Sequence, residues 1–491
     1  MKNVLFIKSF LIAVMLFTTL VFLTGCSKKE DEKKIPVTTV SDDARAEFLK
    51  GRELFEKLRG QESLTHFESA IAKDKGFAMA YYYHSLANPT TKGFFEDLGN
   101  MVRLKDSISE GEKLFILSLK AGVDGDQKKQ EEYLTKLIKL YPDDERAHNQ
   151  IGQFYFGQQK FQLAVDHLKK ATEIDPNYSL AYNMLGYSYR SLGEFDEAEK
   201  AFQKYIELIP DDPNPYDSYA ELLLKEGKYN ESIEQYKRAL SVRPDFVNSY
   251  VGMATNYNLL KKYEDARNQC QILFDMAKNT GQKRLALFSK AVSYVAEGKT
   301  DSALAEIQKQ FALAEAINDH GSMTADLNTM GNILFEAGRY AEAREKFDKA
   351  LEITLNSNLL DEVKENTKRL DLYNQGRVSL MRGNIEDARL KAKEFSESVA
   401  QANNTFQTWL SHELNGMIAL KEKQYDKARE EFMKANQQNP YTFYRIALTY
   451  KGQGNKEEAK KYCDMSIDFN ALNNLNQAFV MNKAETMLKS L

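Results

Sequence analysis

The sequence predicts an all-α protein, an α-solenoid superhelix of about 11 to 12 antiparallel helix pairs, and three observations support this fold class. Helix breakers are scarce, since only 9 prolines and 25 glycines occur among 491 residues. Apolar residues recur with the spacing of a helix face. Pro142, Pro176, Pro210 and Pro244 follow one another at intervals of 34 residues, and a period of this length indicates a stacked repeat array.

The first element is a hydrophobic leader over residues 1–25. Two lysines precede an apolar run at residues 10–23, which is the layout of a secretory signal and is short for a membrane-spanning helix of about 20 residues. The stretch LTGC at residues 23–26 resembles the lipobox of bacterial lipoproteins. That resemblance implies cleavage before Cys26 and a lipid on its thiol, and several acyl chains on one residue anchor stably. A simple cleaved signal, or an anchor helix with an incidental cysteine, is the alternative.

Residues 26–41 follow as the lipidated cysteine and a flexible tether. The segment is highly charged, contains Pro36 and lacks apolar periodicity, so we expect it to be solvated and to reach about 50 Å when extended. Lipoproteins retained in the inner membrane of enteric bacteria carry an aspartate where this chain has Ser27. The resemblance therefore implies an anchor in the outer membrane, on its periplasmic or cell-surface face, and the acidic residues 30–32 resemble a surface-export signal.

The repeat is clearest in the unit that runs over residues 179–212. Small residues at its positions 8 and 20 allow two helices to approach closely, and large residues at positions 4, 11, 17 and 24 fill the remaining space. One such helix pair cannot bury its apolar face alone, so neighbouring pairs must stack. The residues that carry the pattern resemble the tetratricopeptide repeat family: Tyr182, Leu185, Gly186, Tyr189, Gly193, Phe195, Ala198, Phe202 and Pro210.

The regularity of the repeats divides the array. The spacing between the units from Arg284, Thr324 and Arg369 grows to 40 and then 45 residues, which predicts longer helices or loops there. The stretch 88–110 fits the repeat poorly and should contain an irregular connection. In chain order the predicted regions are degenerate repeats (42–110), a regular array (111–278), a longer-helix array (279–470) and a capping helix that covers the last repeat (471–491).

Motifs for chemistry are incomplete in this sequence. The stretch from His412 to Gly416 begins like a zinc-protease helix but has glycine in place of the second histidine, and no histidines and cysteines have metal-site spacing. The formal net charge of −4, with signs mixed along the chain, argues against nucleic acid as a partner. Cys270 and Cys463 share one core position of two distant repeats, so we expect them to be buried. The sequence therefore predicts no catalytic residue, no metal, no cofactor and no enzyme activity.

The resemblance to tetratricopeptide repeats implies a binding function. The predicted role is a scaffold that holds a protein or an extended peptide on its concave face. An outer-membrane glycan-capture lipoprotein of the starch-utilisation type is the alternative, because that family also combines a lipidated cysteine with helices of this kind. Its members interrupt their repeats with long loops and stack sugars on aromatic residues, whereas here Trp409 is the only tryptophan. Partner identity and oligomeric state stay open.

In tetratricopeptide arrays, positions 2, 5, 9, 12 and 13 of the first helix face the groove, and this resemblance places the candidate binding residues. The position-5 residues form a predicted polar row, whose amides can both donate to and accept from a peptide backbone. A tyrosine and an arginine add a stacking surface and a carboxylate partner. An ordinary solvated face is the alternative. The predicted groove residues are Asn149, Gln153, Asn183, Tyr187, Arg190, Asp217 and Glu221.

Overall fold

The computed structural model describes residues 33–88, 90–402 and 404–491 of the chain. The predicted leader, Cys26 and the beginning of the predicted tether lie outside these residues. In the part of the chain that the structure describes, no helix combines the length and the apolar character that crossing a membrane requires.

The described residues form 25 α-helices and no β-strand, which confirms the all-α fold class. They divide into two compact units, the first ending at Leu208 and the second beginning at Ile209. Within each unit, successive helices pack against one another along the chain, so each unit is built as an α-solenoid of stacked helix pairs.

The first unit contains helices α1 to α10 among its described residues. They are α1 (Asp42–Glu56), α2 (Gly60–Lys73), α3 (Ala78–Ala87), α4 (Thr91–Leu104), α5 (Glu110–Val123), α6 (Gln127–Leu140), α7 (Glu145–Gly157), α8 (Phe161–Ile174), α9 (Ser179–Leu192) and α10 (Phe195–Leu208).

The second unit contains helices α11 to α25 among its described residues. They are α11 (Pro213–Lys225), α12 (Tyr229–Val242), α13 (Val247–Leu259), α14 (Tyr263–Met276), α15 (Thr280–Ala296), α16 (Thr300–Glu315), α17 (His320–Glu336), α18 (Tyr340–Asn356), α19 (Asp361–Met381), α20 (Ile385–Ala402), α21 (Thr405–Lys421), α22 (Tyr425–Lys434), α23 (Pro440–Gly452), α24 (Lys456–Ile467) and α25 (Leu475–Lys489).

Position 8 of the repeat is the place where paired helices come closest. A Cβ atom added at Gly186 would lie 2.6 Å from the ring of Phe202, and one added at Gly331 would lie 2.3 Å from the ring of Phe347. In both cases the ring belongs to position 24 of the same repeat. In these two repeats any side chain at position 8 would therefore collide with the second helix, and this close approach is the physical reason for small residues at this position.

Local sequence signals set the helix ends. Ser109 and Glu112 form a capping box at the start of α5. Asp212 caps α11, where Pro213 stands at the first helical position. Gly193 ends α9 with a φ of 79°, a left-handed conformation that glycine adopts without strain and that turns the chain into the second helix of the pair.

The later repeats are larger because their helices are longer. Helices α5 to α14 have 13 or 14 residues, whereas α15 to α21 have 16 to 21. This change does not interrupt the packing, because Val251, Leu273 and Ala286 share one core cluster across it. The longer helices begin at Thr280, and the division between the compact units, at residues 208–209, is a separate feature.

The segment of residues 33–41, which we call the N-terminal strap, differs from the predicted solvated tether. The backbone N–H of Ile35 donates to a carboxylate oxygen of Asp144 at 3.0 Å, and that of Thr38 donates to Glu112 at 2.7 Å. Apolar side chains of the strap pack against the core of the first unit. The prediction of a solvated segment was wrong for these residues, because alternating apolar side chains and backbone donors find partners on the first unit.

Candidate partner-binding grooves

The predicted groove residues divide between the two units. Five of them lie on α7 and α9 of the first unit, and Asp217 and Glu221 lie on α11 of the second. Asn149 and Asn183 are buried, with 3% and 8% of their surface exposed. Their amide oxygens have no hydrogen-bond partner among the described residues. Both side chains are therefore enclosed by the surrounding protein, whereas the sequence analysis expected them to be accessible in the groove.

Tyr187 and Arg190 are only half-buried and lie together on α9. The Arg190 guanidinium is 4.7 Å from the centroid of the Tyr187 ring, and this ring meets Phe202 edge-on at 5.2 Å. Gln153 on α7 is also half-buried. These three side chains are the members of the predicted row in the first unit that are accessible enough to contact a partner.

Asp217 is buried and forms a hydrogen bond inside the second unit. Its carboxylate accepts from the Ser249 hydroxyl at 2.7 Å, which joins α11 to α13. Burial raises the pKa of Asp217 to about 7, and the nearby Glu221 carboxylate adds to the rise. This side chain links two repeats, and a partner cannot reach it without opening the helix packing.

Residues 469–474, which we call the C-terminal segment, cover groove-facing positions of the early repeats in the second unit. The Phe469 carbonyl accepts from the Lys225 ammonium at 2.5 Å, and the Asn473 N–H donates to the Thr255 hydroxyl at 3.1 Å. Lys225 and Thr255 stand at positions 13 and 9 of their repeats, where the family pattern puts ligand contacts. In this part of the second unit, the C-terminal segment of the protein occupies the groove positions that a ligand would contact.

Helix α25 follows this segment and has two contacts. It covers the last repeat, where Ala484 and Met487 pack with Cys463, and so lies where the predicted capping helix was expected. It also packs against α15, where the Asn482 amide donates to the Ala296 carbonyl at 3.0 Å. The helix therefore closes the array and connects its last repeat to an earlier one.

The later repeats of the second unit enclose a cavity of about 350 Å³, which we call the amide cavity. Eight of its lining side chains are carboxamides and five are aromatic. They include Asn328 and Asn332 on α17, Phe406 and Trp409 on α21, and Asn474 before α25. Carboxamides both donate and accept hydrogen bonds, and aromatic walls bind flat apolar groups, so this lining suits a polar ligand with one apolar face.

Arg377 on α19 contributes a buried positive charge to the amide cavity. It is 9% exposed, and its Nε donates to the Asn374 amide oxygen at 3.1 Å. A second hydrogen bond goes to the amide oxygen of Asn332. The guanidinium lies 4.6 Å from the Phe335 ring centroid and 5.1 Å from that of Tyr373. Among the described residues it forms no ion pair with a carboxylate.

A buried carboxylate of the same cavity is neutralised by its neighbours. Glu413 accepts from the Tyr373 hydroxyl at 2.5 Å and lies 3.1 Å from a guanidinium nitrogen of Arg445. Burial and the Glu413 charge raise the pKa of Tyr373, so its hydroxyl stays a donor. Glu413 therefore does not offset the charge of Arg377.

A second cavity of about 580 Å³, the apolar cavity, lies next to the first. Both cavities are lined by Glu336, Tyr441 and Arg445, which we call the shared wall. Glu336 accepts from the Tyr441 hydroxyl at 2.9 Å and pairs with Lys483. Arg445 lies 4.1 Å from the centroid of the Tyr441 ring, so contacts among charged and aromatic groups hold the wall together, although one guanidinium nitrogen of Arg445 has no hydrogen-bond partner among the described residues.

The apolar cavity has an apolar floor and a basic rim. Leucine, methionine and aromatic side chains make up most of its lining, among them Leu380 and Met417. Lys421, Lys423 and Lys451 stand at its rim, and in the described part of the chain none of the three pairs with a carboxylate. This combination suits an apolar group that is accompanied by negative charge.

The sequence analysis missed both cavities although its own position scheme contained the signal. Asn328 and Asn332 are positions 5 and 9 of the unit from Thr324, and Arg377 is position 9 of the unit from Arg369. The groove residues were predicted only in the units of regular length. His412, examined there as part of a broken metal motif, instead pairs with Glu431 at 2.8 Å.

Sequence-family comparisons match four parts of the chain. Models described as tetratricopeptide repeat match residues 143–211, 325–357 and 440–470, and one described as TPR repeat matches residues 220–259. No curated protein matches the chain significantly.

Solved structures resemble parts of the chain at low identity. Two crystal structures of MamA are 22% and 20% identical, cover 31% and 35% of this chain and 90% and 97% of their own, and have TM-scores of 0.29 and 0.31. A tetratricopeptide repeat protein from Parabacteroides merdae ATCC 43184 is 18% identical, covers 53% of this chain and 99% of its own, and has a TM-score of 0.39.

Proposed function

Because the chain belongs to the tetratricopeptide repeat proteins, we propose that it is a membrane-anchored extracytoplasmic scaffold for a protein partner. The partner is held in the amide cavity and the apolar cavity of the second unit. The observation that carries this proposal is the buried lining of the amide cavity, where hydrogen bonds from Arg377 to Asn374 and Asn332 hold these polar groups in place. Rigid polar groups around an open volume favour binding because little freedom is lost on association.

Capture of the partner tests the scaffold function. Phe406 lines the amide cavity and is 56% exposed, so Phe406→Glu changes the cavity mouth without disturbing the core. We expect cross-linking and pull-down of the full-length protein from its own membranes to recover a reproducible partner, and Phe406→Glu to reduce its yield about tenfold. Leu360→Glu is the matched control, because Leu360 is 74% exposed and outside both cavities. Equal yield from both variants contradicts the site, and no reproducible partner contradicts the scaffold.

The membrane anchor is proposed on the lipobox-like sequence that ends at Cys26. We expect labelling with a fatty-acid analogue in wild type and in Cys270→Ser, and no label in Cys26→Ser. Cys270 is the appropriate control because it is a buried thiol. Equal label in Cys26→Ser and wild type rules out the lipoprotein proposal. Export to the outer membrane follows the same proposal and is tested by fractionation of the labelled protein.

We further infer that the protein works by binding and without catalysis, with no cofactor and no nucleic acid as ligand. Gln153, Tyr187 and Arg190 form the alternative contact site, in the first unit, which a partner held in the two cavities does not use. Asn149, Asn183, Asp217 and Glu221 complete that row, and for the three buried members we propose that they support the packing beneath it.

Glycan capture is the second candidate, and the amide cavity is the observation that favours it. Its carboxamides and its aromatic side chains, with Trp409 among them, are groups that hydrogen-bond to hydroxyls and stack on sugar rings. A glycan array probed with the purified protein tests this function. Binding that is lost in Trp409→Ala would place glycan capture above the protein scaffold, and an array without binding would remove it.

A further inference from the structure

We propose that the two cavities of the second unit bind one partner segment. The amide cavity binds an acidic side chain of this segment, and the apolar cavity binds an apolar side chain. This inference rests on the proposed scaffold function and names the chemistry of the partner. It concerns side chains within a segment, so it requires no free chain end.

Arg377 carries the first half of the proposal. A guanidinium has five N–H donors, and the hydrogen bonds to Asn374 and Asn332 use two of them. Its known partners are neutral amides and aromatic rings, although burial of a charge is costly unless an opposite charge compensates it. A carboxylate in the cavity supplies that compensation and accepts from the remaining donors in the bidentate geometry that arginine favours.

The other charges around the amide cavity cancel. Glu413 is paired with Arg445, and Glu336 is paired with Lys483. The lining itself holds two carboxylates and two guanidinium groups, but Lys483 from the apolar cavity pairs with Glu336, so Arg377 is the charged group of this lining that forms no ion pair among the described residues. A neutral ligand would leave this charge uncompensated, so the electrostatics favour an aspartate or glutamate side chain over asparagine or glutamine.

The apolar cavity carries the second half. Its floor offers leucine and methionine side chains, and its rim adds the positive charges of Lys421, Lys423 and Lys451. The rim attracts a segment that is itself acidic and keeps it over the floor, where an apolar side chain is removed from water. Charge complementarity thus applies at both cavities, in a protein whose overall net charge is −4.

The shared wall makes the two cavities parts of one site. Glu336, Tyr441 and Arg445 line both of them, so a segment lying over this wall enters both at once. Successive side chains of an extended segment point in opposite directions. An acidic residue and an apolar residue near each other in the partner sequence therefore satisfy both cavities.

The test uses the full chain and an array of octapeptides with acetylated N-termini and amidated C-termini, so every carboxylate is on a side chain. Peptide pairs differ by Asp against Asn, or Glu against Gln, beside a leucine or phenylalanine. We expect the acidic member to bind at least about tenfold more tightly, as a charge-assisted hydrogen bond allows. We expect Arg377→Met to remove this preference and Arg382→Met, an exposed residue near the end of the same helix, to retain it.

A second variant keeps the inference testable if Arg377→Met does not fold. Lys421→Glu with Lys423→Glu changes two exposed residues, and we expect it to weaken the acidic peptides about tenfold or more. The array also carries a parallel set of the same peptides with free C-termini and a set of glucuronate-containing oligosaccharides. Three results overturn the inference: equal binding of acidic and amide peptides to wild type, binding restricted to the set with free C-termini, or preference for the oligosaccharides.

The outcomes separate this inference from the proposed function. If pull-down yields a partner that Phe406→Glu weakens but the array shows no acidic preference, the scaffold stands and the bipartite chemistry fails. If the array shows the preference but no partner is recovered from membranes, the site stands and the scaffold function fails.

Discussion

The two compact units use the ends of the chain differently. In the first unit the N-terminal strap lies on helix N-termini, where Asp144 and Glu112 accept from its backbone, and its apolar side chains pack against the core. In the second unit the C-terminal segment contacts Lys225 and Thr255 at groove-facing positions. The strap therefore extends the core of the first unit, whereas the C-terminal segment occupies positions where the family pattern puts a ligand.

The position of a residue within the repeat therefore does not determine its function by itself. Position 5 is Asn149 and Asn183 in the first unit, both buried, and Asp217 in the second, which bonds to Ser249. The same position is Asn328 in a longer repeat, where it lines the amide cavity. The side chain is similar in each case, and the neighbouring helices decide whether it meets protein or an open volume.

The largest effect is expected from the closing helix of the second unit. Val480 on α25 is fully buried, so Val480→Asp places a charge in the core and should cost about 3–5 kcal/mol. We expect hydrogen exchange to show loss of protection in the later repeats of the second unit, while the first unit keeps its own. Thr486→Asp, exposed on the same helix, is the control. Equal loss in both units contradicts the division of the chain into two cores.

A smaller loss of stability is expected when the core of the first unit is overpacked, and here the first unit should lose protection instead of the second. Gly186→Leu forces a side chain against the Phe202 ring, where even a Cβ atom is 2.6 Å away, and overpacking typically costs about 1–3 kcal/mol. We expect reduced protection in α8 to α10 and unchanged protection in the longer repeats of the second unit. Gly157→Leu is the control, since no described atom lies within 4 Å of a Cβ there. Loss of protection along the whole chain would refute nearest-neighbour stacking.

These two sites show how much of the fold the sequence predicts. The proline interval and the small residues at position 8 predicted the helix pairs, because the contact between Gly186 and Phe202 is local to one repeat. The strap was not predicted as a packed segment, and residues 471–491 were predicted to cover the last repeat and not to contact early repeats of the second unit. Their partners, such as Asp144 for Ile35 and Thr255 for Asn473, lie more than a hundred residues away, and no periodic pattern records such pairs.

The sequence predicted the amide chemistry of a groove, the structure adds the amide cavity as a second place for it, and the predicted row on α7 and α9 stays a prediction. The expectation of groove amides agrees with the chemistry of Asn328, Asn332 and Asn374, but the sequence analysis put that chemistry on α7 and α9. Spacing alone does not reveal how longer helices enlarge the volume between repeats. It also does not reveal that Arg377 is buried beside amides without a carboxylate, since this depends on three helices meeting.

The smallest expected effect is a local pH response with opposite signs in the two units. His148 donates from Nε2 to the Pro142 carbonyl at 3.0 Å, and its Nδ1 therefore accepts from Nδ1 of His167 at 3.2 Å. Burial lowers the pKa of both histidines. Their contribution to stability is therefore complete above the unfolded pKa of about 6.5 and is lost as the pH falls through their folded values.

Asp217 responds in the other direction. Its pKa is raised from 3.8 to about 7 by burial, so its contribution is present at acid pH and is lost as the pH rises through about 7. Between pH 8 and pH 6 we expect hydrogen exchange, corrected for intrinsic rates, to slow in α11 and α13 and to quicken in α7 and α8. Asp217→Asn should abolish the first response and leave the second. Hydrogen exchange must be followed helix by helix, because the hydrogen bond to Asp97 raises the pKa of His84 in the first unit. The contribution of His84 to stability therefore changes with pH in the opposite direction to that of His148 and His167.

The most direct test of the account asks which unit touches the partner. A photocross-linking amino acid is introduced at Phe406, at the mouth of the amide cavity, or at Gln153, in the predicted row of the first unit, in otherwise wild-type full-length protein on its own membrane. The account predicts that the partner recovered by pull-down is cross-linked from position 406 and not from position 153. Cross-linking from position 153 alone would contradict it and would return the binding site to the first unit.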